Sequence, residues 1–127
     1  MAKSKIILNL EEIHFDDGVG GKECIRAPSL VLMFQSDNLR RAYEKNPHQE
    51  YSIYDLMKIM EGDITLKEVT IASNFERHKN IFHKCGTRIE SRNKRLSRVI
   101  VVRLKPVTKY IFEAVKKIRM DLEDKRK

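Results

Sequence analysis

A chain of 127 residues fits one domain and can bury roughly two-thirds of its unfolded surface. With 41% hydrophobic residues, 35% charged residues and a formal net charge of +8, it reads as globular and highly charged. Its longest apolar run, Leu30 to Phe34, falls far short of the roughly 20 residues that cross a bilayer, so no membrane segment is expected.

The first residues, Met1-Ala2-Lys3-Ser4-Lys5, begin basic, but Asn9 and Glu11 cut the apolar stretch that follows, so no signal peptide is read. A cytoplasmic, nucleoid-associated protein is the expectation, with the two cysteines, Cys24 and Cys85, reduced rather than bridged. Residues 5–15 place Ile6, Leu8, Leu10, Ile13 and Phe15 at a period of two with one shift of phase, which predicts a strand. Asp16 to Gly21 is turn chemistry, and Lys22 to Arg26 reads as a short returning strand. Residues 1–27 therefore form an N-terminal β-hairpin or arm.

Residues 28–105 are expected to form the main domain. Pro28 suits a first helical turn, and Leu32, Leu39 and Tyr43 support one helix over 29–46, ended by Asn46-Pro47. The rival is a strand at 30–34 followed by a helix capped by Ser36. Ser52 and Asp55 approach a capping box before Ile53, Leu56, Met57 and Met60, and Gly62 stops that helix. Thr65 and Glu68 make a second capping box. Behind it Val69, Ala72, Phe75, Phe82 and Cys85 mark an apolar face ended by Gly86, as one helix or as two broken at Ser73-Asn74. Strands are expected at 87–91 and 97–104, joined by the basic turn Arg92-Asn93-Lys94-Arg95. Pro106 opens a last helix over 106–127, frayed from Asp121. Its seam of Val107, Ile111, Ala114 and Ile118 either packs on the domain's own core or pairs two subunits.

Charge is segregated along the chain. Residues 76–105 carry ten Lys or Arg against two acids, whereas residues 1–75 sum to −3. A concentrated basic surface is what a phosphate backbone attracts. If about six phosphates are neutralised, the logarithm of affinity falls against the logarithm of salt with a slope of roughly −5.

The stretch FERHKNIFHKCGTRIESRNKRLSRVIVVRLKPVTKYIFEAV, Phe75 to Val115, resembles the winged-helix DNA-binding regulators of the MarR-like and PadR-like groups. The likeness lies in a helix ending in glycine, a charged hairpin, the β-branched strand Val99 to Leu104, and a proline-started long helix. Lys105 and Thr108 depart from the usual Thr and Gly of that pattern. The resemblance implies an α+β winged helix-turn-helix with an N-terminal β-arm and a C-terminal dimerisation helix, acting as a sequence-specific transcriptional regulator on double-stranded DNA. It implies a recognition helix exposing Asn74, Arg77, His78, Lys79 and Asn80 to the major groove. Lys84, Arg88, Arg92, Lys94, Arg95 and Arg98 would then meet backbone or minor groove. A homodimer through Val107, Ile111, Ala114 and Ile118 would bind a palindromic site.

Two other functions compete: a non-specific chromatin or partition protein, and a protein–protein adaptor on the same scaffold. No enzyme, cofactor or metal is expected. His83 and Cys85, two apart on an expected helix, point to different faces, and His78 lies further away. Gly18-Val19-Gly20-Gly21 lacks the Lys-Ser/Thr of a phosphate loop.

Overall fold

The computed structural model describes residues 7–125. Residues 1–6 and 126–127 lie outside them, and with them the expected start of the first strand. Among the described residues the fold is α+β, with five helices and two small antiparallel sheets.

The N-terminal hairpin pairs β1 (Ile13–Asp16) with β2 (Lys22–Ile25), a shorter pair than the sequence suggested. Asp17 makes the turn by accepting from the backbone N–H groups of Val19 and Gly21 at 2.9 Å each. Gly18 turns at φ +87° directly against the Tyr110 ring, which leaves no room for a side chain. Ile13, Phe15 and Ile25 are buried in the same core as the rest of the chain, so the hairpin is part of that core and not a free arm.

The expected helix at 29–46 is two helices, α1 (Pro28–Met33) and α2 (Asp37–Lys45). Ser36 breaks it. Its buried hydroxyl accepts from Leu39 N–H at 3.1 Å and donates to Asp63 Oδ2 at 2.7 Å, so it caps α2 and ties it to the loop beyond the next helix. Half of the rival reading is correct: Ser36 caps, but 30–33 is helix rather than strand.

β3 (Glu50–Tyr51) leads into α3 (Ile53–Ile59), and the Ser52–Asp55 capping box is fully formed. α4 (Glu68–Arg77) starts from Lys67 with no side-chain cap, so Thr65 does not serve as expected. The helix also ends eight residues before Cys85. A turn at His78, accepting from Ile81 and Phe82 N–H, redirects the chain into β4 (Phe82–Arg92). Phe82 thus leaves the helical face and packs on Phe75 from the sheet, with ring centroids 5.1 Å apart. Gly86 is no helix terminator. It sits at φ +140° beside a β-bulge in which Cys85 is the extra residue.

β5 (Arg95–Leu104) returns through the two-residue turn Asn93-Lys94 and pairs with β4 and β3, giving the order β3-β5-β4. α5 (Thr108–Lys125) closes the chain and is helical further than the expected fraying point at Asp121. β1 packs along α5, while Phe112 stacks edge-on to Phe34 at 5.0 Å. Ile111 is fully buried, and Val107, Ala114 and Ile118 are half-buried. Of the seam offered for pairing subunits, Ile111 lies in the protomer's own core, where β1 packs along α5.

Candidate nucleic-acid interface

α4 owes its orientation to Ile71, Asn74 and Phe75, which face inward at helical spacing. The opposite side presents Val69, Thr70, Ser73 and Arg77. Val69 is 71% exposed, although an apolar side chain gains nothing in water. These four residues, with Ser29, line a shallow hollow along the helix.

The expected base-reading set does not stay together. Asn74 is buried, and its amide exchanges hydrogen bonds with Ser29 Oγ at 3.0 and 3.2 Å, so it reaches no base edge. It faces inward because it sits three residues after Ile71, on the core side. Arg77 is exposed at the last helical position. His78 is the helix cap, and burial pushes its imidazole below its ordinary pKa, with Arg77 adding to the effect. Lys79 and Asn80, expected on the recognition helix, are exposed in the turn after its C-terminal end. Val69, expected on the apolar face with Phe75, instead turns outward beside Thr70 and Ser73. The signal was the inward set 71, 74, 75, which leaves 70, 73 and 77 on the outer stripe.

The hairpin β4–β5 runs beside α4, and acids on the helices hold its bases. Lys84 pairs with Glu76, Arg92 with Glu68, and Arg88 with Asp55 and with Glu90 at 2.7 Å. Arg92 also lies 4.4 Å above the centre of the Tyr54 ring, a cation–π contact. Glu90 in turn accepts from Ser52 Oγ at 3.1 Å. The hydrogen bond from Lys84 holds the Glu76 carboxyl below its ordinary pKa, and the one to Asp55 raises Arg88. All of these groups are partly exposed, so each pair orients more than it stabilises.

Near α4 and the hairpin, two groups of bases are left without an acidic ion-pair partner among the described residues. One is the hairpin tip, where Lys94 and Arg95 have no acidic partner among the described residues, with Arg98 nearby donating to Thr87 Oγ1 at 3.2 Å. The other is the C-terminal end of α4, with Arg77 and Lys79. Lys84, Arg88 and Arg92, expected to meet phosphate directly, are bound to acids of the same chain. The sequence places those acids 8, 33 and 24 residues away, which no local pattern reveals. His78, His83 and Cys85 form no metal-ligand group among the described residues.

Comparisons with known proteins return no match: no family model, no curated protein and no solved structure is significantly similar to the chain. No helix among the described residues is long and apolar enough to cross a membrane.

Proposed function

We propose that this chain is a winged helix-turn-helix protein that binds double-stranded DNA in a sequence-specific way and regulates transcription. The observation that carries the reading is the order α2, β3, α3, α4, β4, β5 with strand order β3-β5-β4, in which a basic two-stranded hairpin projects beside an exposed helix. A helix fits the major groove, where base edges are distinguishable, and a thin ribbon follows backbone or enters the minor groove.

In this reading α4 is the recognition helix. Arg77 pairs with guanine O6 and N7, while Val69 and Thr70 meet thymine methyl groups and Ser73 serves either purine or pyrimidine. Lys94 and Arg95 hold the flanking backbone. Glu68, Glu76 and Asp55 fix the angle of the hairpin against the helix through Arg92, Lys84 and Arg88, so the tip is already placed when DNA arrives.

The test is fluorescence anisotropy on random duplexes and on duplexes from the protein's own regulatory region, across ~50–200 mM salt. Expected are a steep salt slope on both, tighter binding to one regulatory sequence, and loss of that preference in Arg77→Ala. Equal affinity for all duplexes makes the protein a non-specific chromatin component. No binding at the lowest salt overturns the reading and leaves the basic surface to a protein partner.

A further inference from the structure

We propose that Glu12, His14 and Cys24 form a binding site for a zinc-class divalent metal ion on the outer face of the N-terminal hairpin, separate from the basic surface. Antiparallel register sets His14 directly opposite Cys24, and Asp16 opposite Lys22. Glu12 lies two residues before His14 and so shares its face, while Ile13, Phe15 and Ile25 occupy the other face and are buried. The solvent face thus carries three steps of different chemistry: Asp16 with Lys22, His14 with Cys24, and, beyond the paired strands, Glu12 with Arg26. At the turn end, Lys22 and Asp16 make an ordinary ion pair at 2.9 Å. At the middle step an imidazole faces a thiol, a pair with no attraction of that kind, and both turn to the Glu12 carboxylate.

The convergence is close. His14 Nε2 lies 2.9 Å from Glu12 Oε1, and Cys24 Sγ lies 3.2 Å from Glu12 Oε2. All three ligand atoms fall within 4.8 Å of one another. A tetrahedral ion with bonds of about 2.0–2.3 Å separates its ligand atoms by roughly 3.3–3.8 Å, so small side-chain rotations admit one. His14 is 68% exposed and free to make that rotation.

The donor set selects the metal. Thiolate with imidazole and one carboxylate suits zinc and its spectroscopic surrogate cobalt(II), whereas magnesium and calcium demand oxygen. On binding, the Cys24 thiol releases its proton to solvent, His14 binds as the neutral imidazole, and two anionic ligands balance the ion. Three protein ligands leave a fourth position to water. Arg26, whose Nε donates to Glu12 Oε2 at 2.8 Å, stands as the outer partner that orients the carboxylate. The ion would cross-link the two strands where the hairpin joins α1.

The experiment is a cobalt(II) titration of the reduced full chain, followed by displacement with zinc. The readouts are the thiolate-to-cobalt charge-transfer absorption and the visible bands of tetrahedral cobalt. Expected are one equivalent bound by the wild type and by Cys85→Ser, no charge-transfer band in Cys24→Ser, and affinity weakened at least ~100-fold in His14→Ala. Absence of the band in the wild type overturns the proposal. So does a band that survives in Cys24→Ser, or unchanged affinity in His14→Ala. If Cys24→Ser does not fold, His14→Ala alone decides, because its side chain contributes nothing to the core.

Discussion

The hairpin tip offers a perturbation in which stability and DNA affinity move in opposite directions. Asn93 and Lys94 both sit in the left-handed region, at φ +53° and +63°, as a two-residue turn between β4 and β5 requires. Asn tolerates that conformation, but a lysine there carries a strain of about 1 kcal/mol that glycine would not. Lys94→Gly creates the Asn-Gly sequence such turns prefer, and Arg95→Gln removes the neighbouring charge with little change of shape. The double variant is therefore expected to be more stable by about 1 kcal/mol, raising Tm by about 3–5 °C for a domain of this size. It also loses two phosphate contacts. At about 0.9 per contact, the salt slope flattens by about 1.8, which is a loss of roughly 60-fold in affinity at ~100 mM salt. Differential scanning calorimetry and salt-dependent anisotropy read the two effects. Because the turn is strengthened, weaker binding cannot be blamed on a melted hairpin. An unchanged salt slope would remove the tip from the DNA interface, and a lowered Tm would refute the turn argument.

Asn74→Ala is expected to cost about 1 kcal/mol in urea unfolding, since it removes the hydrogen bonds between buried Asn74 and half-buried Ser29, and to leave the salt slope of DNA binding unchanged. Ile111→Ala should cost about 3–4 kcal/mol, and that cost should not depend on protein concentration, as it would if this seam joined two subunits. Ser36→Ala removes a cap and leaves Asp63 without one of its donors, for about 2 kcal/mol in the same assay. Glu76 should titrate below its ordinary 4.5 in carboxyl NMR and return towards it in Lys84→Gln. Because its folded-state pKa is depressed, the pair's small contribution is present above 4.5 and fades as pH falls through the lowered value.

Features carried by local chemistry were legible in the sequence. Ser52 with Asp55 announced a capping box, Asp17 with its glycines announced a turn, and the charged hairpin between β-branched strands was found within a few residues of its ends. The boundary between α4 and β4 was not legible. Phe82 and Cys85 are spaced three apart, which points to one helix face, whereas the strand leaves Phe82 buried and Cys85 exposed, and Gly86 serves a bulge as readily as a helix end. The break at Ser36 was visible only as an alternative, because its decisive partner, Asp63, lies 27 residues downstream. The candidate interface was half legible for the same reason. Positive charge could be counted, but whether Arg92 or Arg95 is free depends on Glu68, whose proximity only the fold creates.

The sheet places its last strand in the middle. β3 is made when residue 51 emerges, yet its partner β5 lies about fifty residues later, and Tyr51 meets Val102 only then. The helices between them can collapse through near neighbours, while the sheet must wait for a loop of about fifty residues to close. Until β5 arrives, Tyr51 and the β4 edge stand uncovered, so a ribosome-bound fragment ending before residue 104 is the form of this protein most exposed to wrong association.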